Sequence, residues 1–144
     1  MRQFVELAAI FRIEHVYVTD NDVVYGRGWF DELLACYAHF AARHPRAVVS
    51  CLNVPKHGTV EGPASNDRFV EKGSVGGASW LASLETMREL LTPDIVDDWD
   101  VRCLARLQAL GGIVGCTRRS FVQHFGAHGL HSWGAHDRGV NFVG

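Results

Sequence analysis

Between residues 15 and 54 the hydrophobic period of the sequence changes twice, and this limits the possible folds more than any other feature. His15 to Thr19 (His-Val-Tyr-Val-Thr) is a β-branched and aromatic run, the pattern of a buried strand. Gly26 and Gly28 interrupt the next stretch, and Trp29 to Arg43 then sets Trp29, Leu33, Tyr37 and Phe40 on one helical face. His44-Pro45 stops that helix, and Ala47 to Val54 returns to a strand pattern. Strand, amphipathic helix and strand in this order predict an α/β or α+β domain.

The rest of the chain extends this plan. Phe4 to Phe11 has helical spacing, and Pro55 to Gly73 reads as one polar loop of about 19 residues, a length uncommon outside functional segments. Helices are predicted from Trp80 to Leu91 and from Asp94 to Leu110, the second ended by Gly111-Gly112. Ile113 to Val122 reads as a third strand region, followed by a His- and Gly-rich tail. No repeat or linker divides the 144 residues, so residues 1–144 are predicted to form one domain.

Composition removes several function classes. Hydrophobic residues at 47% and charged residues at 21% exclude intrinsic disorder. A formal charge of −2 gives no electrostatic footprint for nucleic acid or an anionic membrane. No apolar run approaches the roughly 20 residues that cross a bilayer, so no transmembrane segment is expected. Glu6 falls where a signal peptide would continue its apolar core. Cys36, Cys51, Cys103 and Cys116 form no C-x-x-C pair and sit in apolar surroundings. Reduced, buried thiols are the expectation, and with them a cytoplasmic location.

Three clusters have the residue types for chemistry. Asp20-Asn21-Asp22 closes the first strand, and a carboxylate pair at i, i+2 can turn both oxygens toward one hard cation such as Mg²⁺ or Mn²⁺. The same residues also make an ordinary turn. An EF-hand is excluded, because position 6 counted from Asp20 is Tyr25 and position 12 is Asp31. Asp97-Asp98-Trp99-Asp100 opens a helix, where acids cap amides and suit the dipole. Three acids in four positions exceed what a cap needs, and one with a raised pKa can serve as a general base. His124, His128, His131 and His136 crowd the tail; His124 is singled out because it directly follows a strand end. Trp80, on a Gly-Gly-Ala-Ser shoulder, reads either as a sugar-stacking platform or as a core aromatic.

The order of these segments resembles the GT-A glycosyltransferases, closest to inverting, family-two-type enzymes that use nucleotide-diphosphate sugars. The matching residues are Asp20-Asn21-Asp22 after a strand, Gly76-Gly77-Ala78-Ser79-Trp80, Asp97-Asp98-Trp99-Asp100 and the Gln123-His124-Phe125-Gly126 strand end. The similarity runs from about Val16 to Ser132. It implies a GT-A-like, partial Rossmann-like sheet flanked by helices. It also implies a metal held by Asp20, Asp22 and His124, and a donor bound at Asp20 and Asn21. Asp98 would be the catalytic base, and Gly77, Trp80 and Asp97 would border the acceptor. The implied reaction moves a sugar from the nucleotide-diphosphate donor to a carbohydrate or other hydroxyl, with the 55–73 loop closing over the donor. Only 19 residues precede Asp20, so the resemblance implies that the N-terminal nucleotide-binding half is largely missing. An exposed sheet edge would then invite a partner chain or a second copy. Two further readings stand beside it: a truncated, non-catalytic interaction module or split-enzyme component, and a small metal-dependent hydrolase.

Overall fold

The computed structural model describes residues 2–10, 12–125 and 138–144. Its elements are α1 (Arg2–Ile10), β1 (His15–Thr19), β2 (Val23–Tyr25), α2 (Trp29–Ala41), β3 (Ala47–Ser50), β4 (Phe69–Glu71), β5 (Ser79–Ser83), α3 (Leu84–Leu90), α4 (Trp99–Ala109), β6 (Ile113–Thr117) and β7 (Val122–His124). Five strands form one mixed sheet in the order β1-β5-β3-β6-β4. Only the β3–β6 pair is parallel; β1–β5, β3–β5 and β4–β6 are antiparallel. A second, two-stranded antiparallel sheet pairs β2 with β7.

The sheet is buried on both faces. On one side Val48, Trp80, Ala82 and Val114 pack with Met87 and Leu90 of α3 and Leu104 and Leu107 of α4. On the other, Ala47, Val49, Leu81 and Ile113 pack with Leu33, Cys36 and Phe40 of α2. Neighbours along each strand thus alternate between two cores, as strand geometry requires. Burying a side chain the size of Leu33 or Phe40 contributes about 1.5–3 kcal/mol. The α2 helix starts from Gly28 in the left-handed region (φ 74), with Asp31 and Glu32 favourably placed in its first turn.

The first strand and the α2 helix match the sequence reading; five other segments differ. The stretch from Trp80, predicted as helix, begins in the interior strand β5, and α3 starts only at Leu84. A strand covered on both faces is apolar throughout and has no period to separate it from a buried helix. Ile113 to Val122 divides into β6 and β7, which belong to different sheets. The last helix begins at Trp99 rather than Asp94, and the strand from Ala47 ends at Ser50. The expected 55–73 loop contains β4, and its remainder is fastened down. Glu71 accepts from the Ala64 amide, Arg118 pairs with Glu61 through both guanidinium nitrogens, and Lys72 donates to Asn53 and the Val54 carbonyl. Such anchoring suits a wall of the fold better than a closing lid.

All four cysteines are buried and free, and burial raises the pKa of each: Cys103 to about 11, Cys116 to about 12. Among the described residues no helix is long and apolar enough to cross a membrane.

Candidate metal centre

The small β2–β7 sheet assembles the site. A short bend after β1 puts Asp20-Asn21-Asp22 just ahead of β2, and the antiparallel β2–β7 register sets Val23 opposite His124. One step beyond, the Phe125 amide donates to the Asp22 carbonyl (2.9 Å), which extends the ladder past its last named pair. Residues about a hundred positions apart are thereby fixed side by side. His124 Nε2 lies 3.1 Å from Asp22 Oδ1 and 3.7 Å from Asp20 Oδ2. One ligand atom from each of the three falls within 4.8 Å of the others, and no other such trio occurs among the described residues.

The donor set suits a divalent ion. Two carboxylates and an imidazole offer hard oxygens and a borderline nitrogen, a set able to share one divalent ion. Their electrostatics favour added positive charge. Burial holds the Asp20 pKa above its ordinary value; His124 works against that rise, while Asp22 and Asp100 add to it. The carboxylates remain about half exposed and His124 less so.

A layer of hydroxyls lies behind the acids. Thr19 Oγ1 is 2.7 Å from the Tyr25 hydroxyl and 3.2 Å from the Ala78 carbonyl. A threonine has one hydroxyl hydrogen; with Thr19 donating to Ala78, Tyr25 donates to Thr19. The Asp20 amide reaches the same Ala78 carbonyl at 3.4 Å. Tyr17 donates to Ser79 alongside, and burial raises its phenol pKa. Thr19 and Tyr25 were not singled out in the sequence, since β2 is three residues long; Ala78 lay within the matching segment, but its contribution is a backbone carbonyl that side-chain types do not reveal.

The other predicted site residues differ in burial and in partners. Asn21 is exposed between the two acids. Asp97 and Asp98 are exposed, and neither side chain makes a hydrogen bond among the described residues. Asp98 is the residue that enters α4, in the left-handed region (φ 48, ψ 43), without capping the helix through its side chain. The capping role expected of these acids falls to Asp100, whose Oδ1 accepts from the first-turn amide of Val101 (2.9 Å). Asp100, the third acid of that run, is half-buried and accepts from the Gly77 amide (3.1 Å). Gly77 is pressed against the helix start: a Cβ there would lie 2.9 Å from the Trp99 ring and 3.3 Å from the Asp100 Cβ. Trp80 has no exposed surface, stacks edge-on against Trp99 at 4.8 Å, and donates to the Gly76 carbonyl. It is a core aromatic and offers no platform to a sugar. His128, His131 and His136 lie outside the described residues.

No protein-family model matches this chain, and no curated protein matches it in sequence.

Proposed function

We propose that the chain carries the metal- and acceptor-facing chemistry of an inverting glycosyltransferase acting on a nucleotide-diphosphate sugar. The observation that carries this reading is the convergence of Asp20, Asp22 and His124 on one point at the strand ends. Asp22 and His124 hold the ion, and Asp20 faces both the ion and, with Asn21, the donor. Bound Mn²⁺ or Mg²⁺ there supplies positive charge to offset that of a diphosphate leaving group. Asp98 is the base: its exposed carboxylate takes the proton from an acceptor hydroxyl, whose oxygen bonds to the anomeric carbon as the bond to the diphosphate breaks. Gly77 and Asp97 border the acceptor. Support for this arrangement comes from α4, whose first turn bonds to Gly77 next to the Ala78 carbonyl that holds Asp20.

Calorimetry with a panel of nucleotide-diphosphate sugars, with and without Mn²⁺, tests the reading. The expected result is metal-dependent donor binding that Asp22→Ala and His124→Ala abolish. Donor binding indifferent to Mn²⁺ and to both substitutions would reject it.

A second reading rests on the sheet topology. β1 is an edge strand, and an edge strand can pair with a partner chain. On that reading the chain is a non-catalytic interaction module, and it predicts self-association without donor turnover.

A further inference from the structure

We infer that Asp100 is a positioning residue for the Asp20–Asp22–His124 centre, which it holds in place through the backbone of residues 77 and 78. This rests on the metal reading above. Asp100 does not belong to the group of atoms able to share an ion with those three residues. One of its oxygens, Oδ1, accepts from the first-turn amide of Val101 and so serves the helix start. Its other oxygen reaches across to the Gly77 amide.

The residue after Gly77 gives that bond its reach. The Ala78 carbonyl receives both the Thr19 hydroxyl and the Asp20 amide. The position of the Asp20 backbone is thus set against Ala78, and that of Ala78 depends on the dihedrals of the Gly76-Gly77 pair. Two consecutive glycines are the softest link a chain can carry, so a fixed geometry needs outside restraint. The restraint comes from two sides: the buried Trp80 indole holds the Gly76 carbonyl at 2.8 Å, and Asp100 holds the Gly77 amide. Trp99 and Asp100 approach Gly77 so closely that a side chain there would have to displace the Trp99 ring. The pair is therefore soft in itself and ordered by the bonds from Asp100 and Trp80. A partner that orients a metal ligand typically changes metal affinity by about 10- to 100-fold when removed.

The test uses the whole chain, with Asp100→Ala and Asp100→Asn, and two readouts. The first is amide hydrogen exchange at Gly77 and Asp20 in metal-free protein; the second is Mn²⁺ affinity by electron paramagnetic resonance. Asp100→Ala is expected to speed exchange at both amides and to weaken Mn²⁺ binding by about 10- to 100-fold. Asp100→Asn removes the charge and keeps one acceptor oxygen, which can serve the Gly77 amide at the expense of the Val101 bond, and is expected to recover most of both signals. It also serves if the alanine variant fails to fold. Parental exchange, parental Mn²⁺ affinity in Asp100→Ala, or no rescue by Asn overturns the inference and leaves the metal reading standing. If the parent chain takes up no Mn²⁺, the metal reading fails, and the inference falls with it.

Discussion

Asp98 has a backbone conformation that L-residues other than Asn and Asp seldom adopt, with φ 48 and ψ 43, and its side chain does not cap the helix it introduces. A left-handed residue costs roughly 1–2 kcal/mol, and a glycine in its place gives back about 0.5–1 kcal/mol of that in chain entropy. Asp98→Gly should therefore raise stability by about 0.5–1 kcal/mol in denaturant unfolding, the balance of those two effects. If Asp98 is the base, the same variant and Asp98→Asn lose transfer by ~10²–10⁴-fold, with Asn near parental stability. Near-parental transfer by Asp98→Asn would remove the base assignment and favour the non-catalytic reading. Asp97→Asn, with an exposed and unbonded side chain, should shift stability by less than about 0.5 kcal/mol. The acid pair and the strand-end histidine were legible as residue types in the sequence. The distinct positions of Asp97, Asp98 and Asp100 were not, because they depend on one left-handed residue that turns the chain before the helix begins.

Among the elements, legibility followed exposure. The α2 helix has one buried and one solvated face, so its period is visible, and β1 is β-branched and ends in a clear turn. By contrast, β5 is an interior strand under two cores, and its Trp-Leu-Ala run reads equally as helix. β2, β4 and β7 are three residues each, too short to show alternation. How α3 is tied to the sheet was also invisible, because the pair responsible spans 43 positions. Arg46, just ahead of β3, donates to both carboxylate oxygens of Glu89 on α3, at 2.6 and 3.0 Å. That partner keeps the Glu89 pKa below the ordinary 4.5. Below pH 4.5 the unfolded chain then binds more protons than the folded one, so this contribution is complete above 4.5 and fades as pH falls toward the folded value. Glu89→Gln should be less stable than the parent at pH 7, and urea unfolding at about pH 3 should show the gap narrowing. A gap unchanged with pH would mean that packing of the side chain, rather than its charge, does the holding.

For the whole molecule, the two sheet edges are treated differently. The β4 edge is covered: Val60 donates to the Glu71 carbonyl, and Thr59 bridges to Lys72. On the β1 side, the bonds from Asp20 to Ala78 and from Leu84 to Glu14 fix which backbone groups face β5. Antiparallel pairing alternates, so the even-numbered residues bond inward, and the amides and carbonyls of His15, Tyr17 and Thr19 point away from the sheet. Three outward donor–acceptor pairs on a strand without Lys or Pro make a template for another strand. The expected outcome in sedimentation is concentration-dependent self-association of the parent chain. His15→Pro removes one outward amide at the first position of the strand, where proline is tolerated, and should weaken that association. His15→Ala also loses the edge-on ring contact with Tyr37 but keeps the amide, so it should associate like the parent. Equal weakening by both would assign the effect to the ring. A parent chain that stays monomeric at every concentration would rule out edge pairing between copies, and with it the form of the interaction-module reading in which the chain pairs with itself.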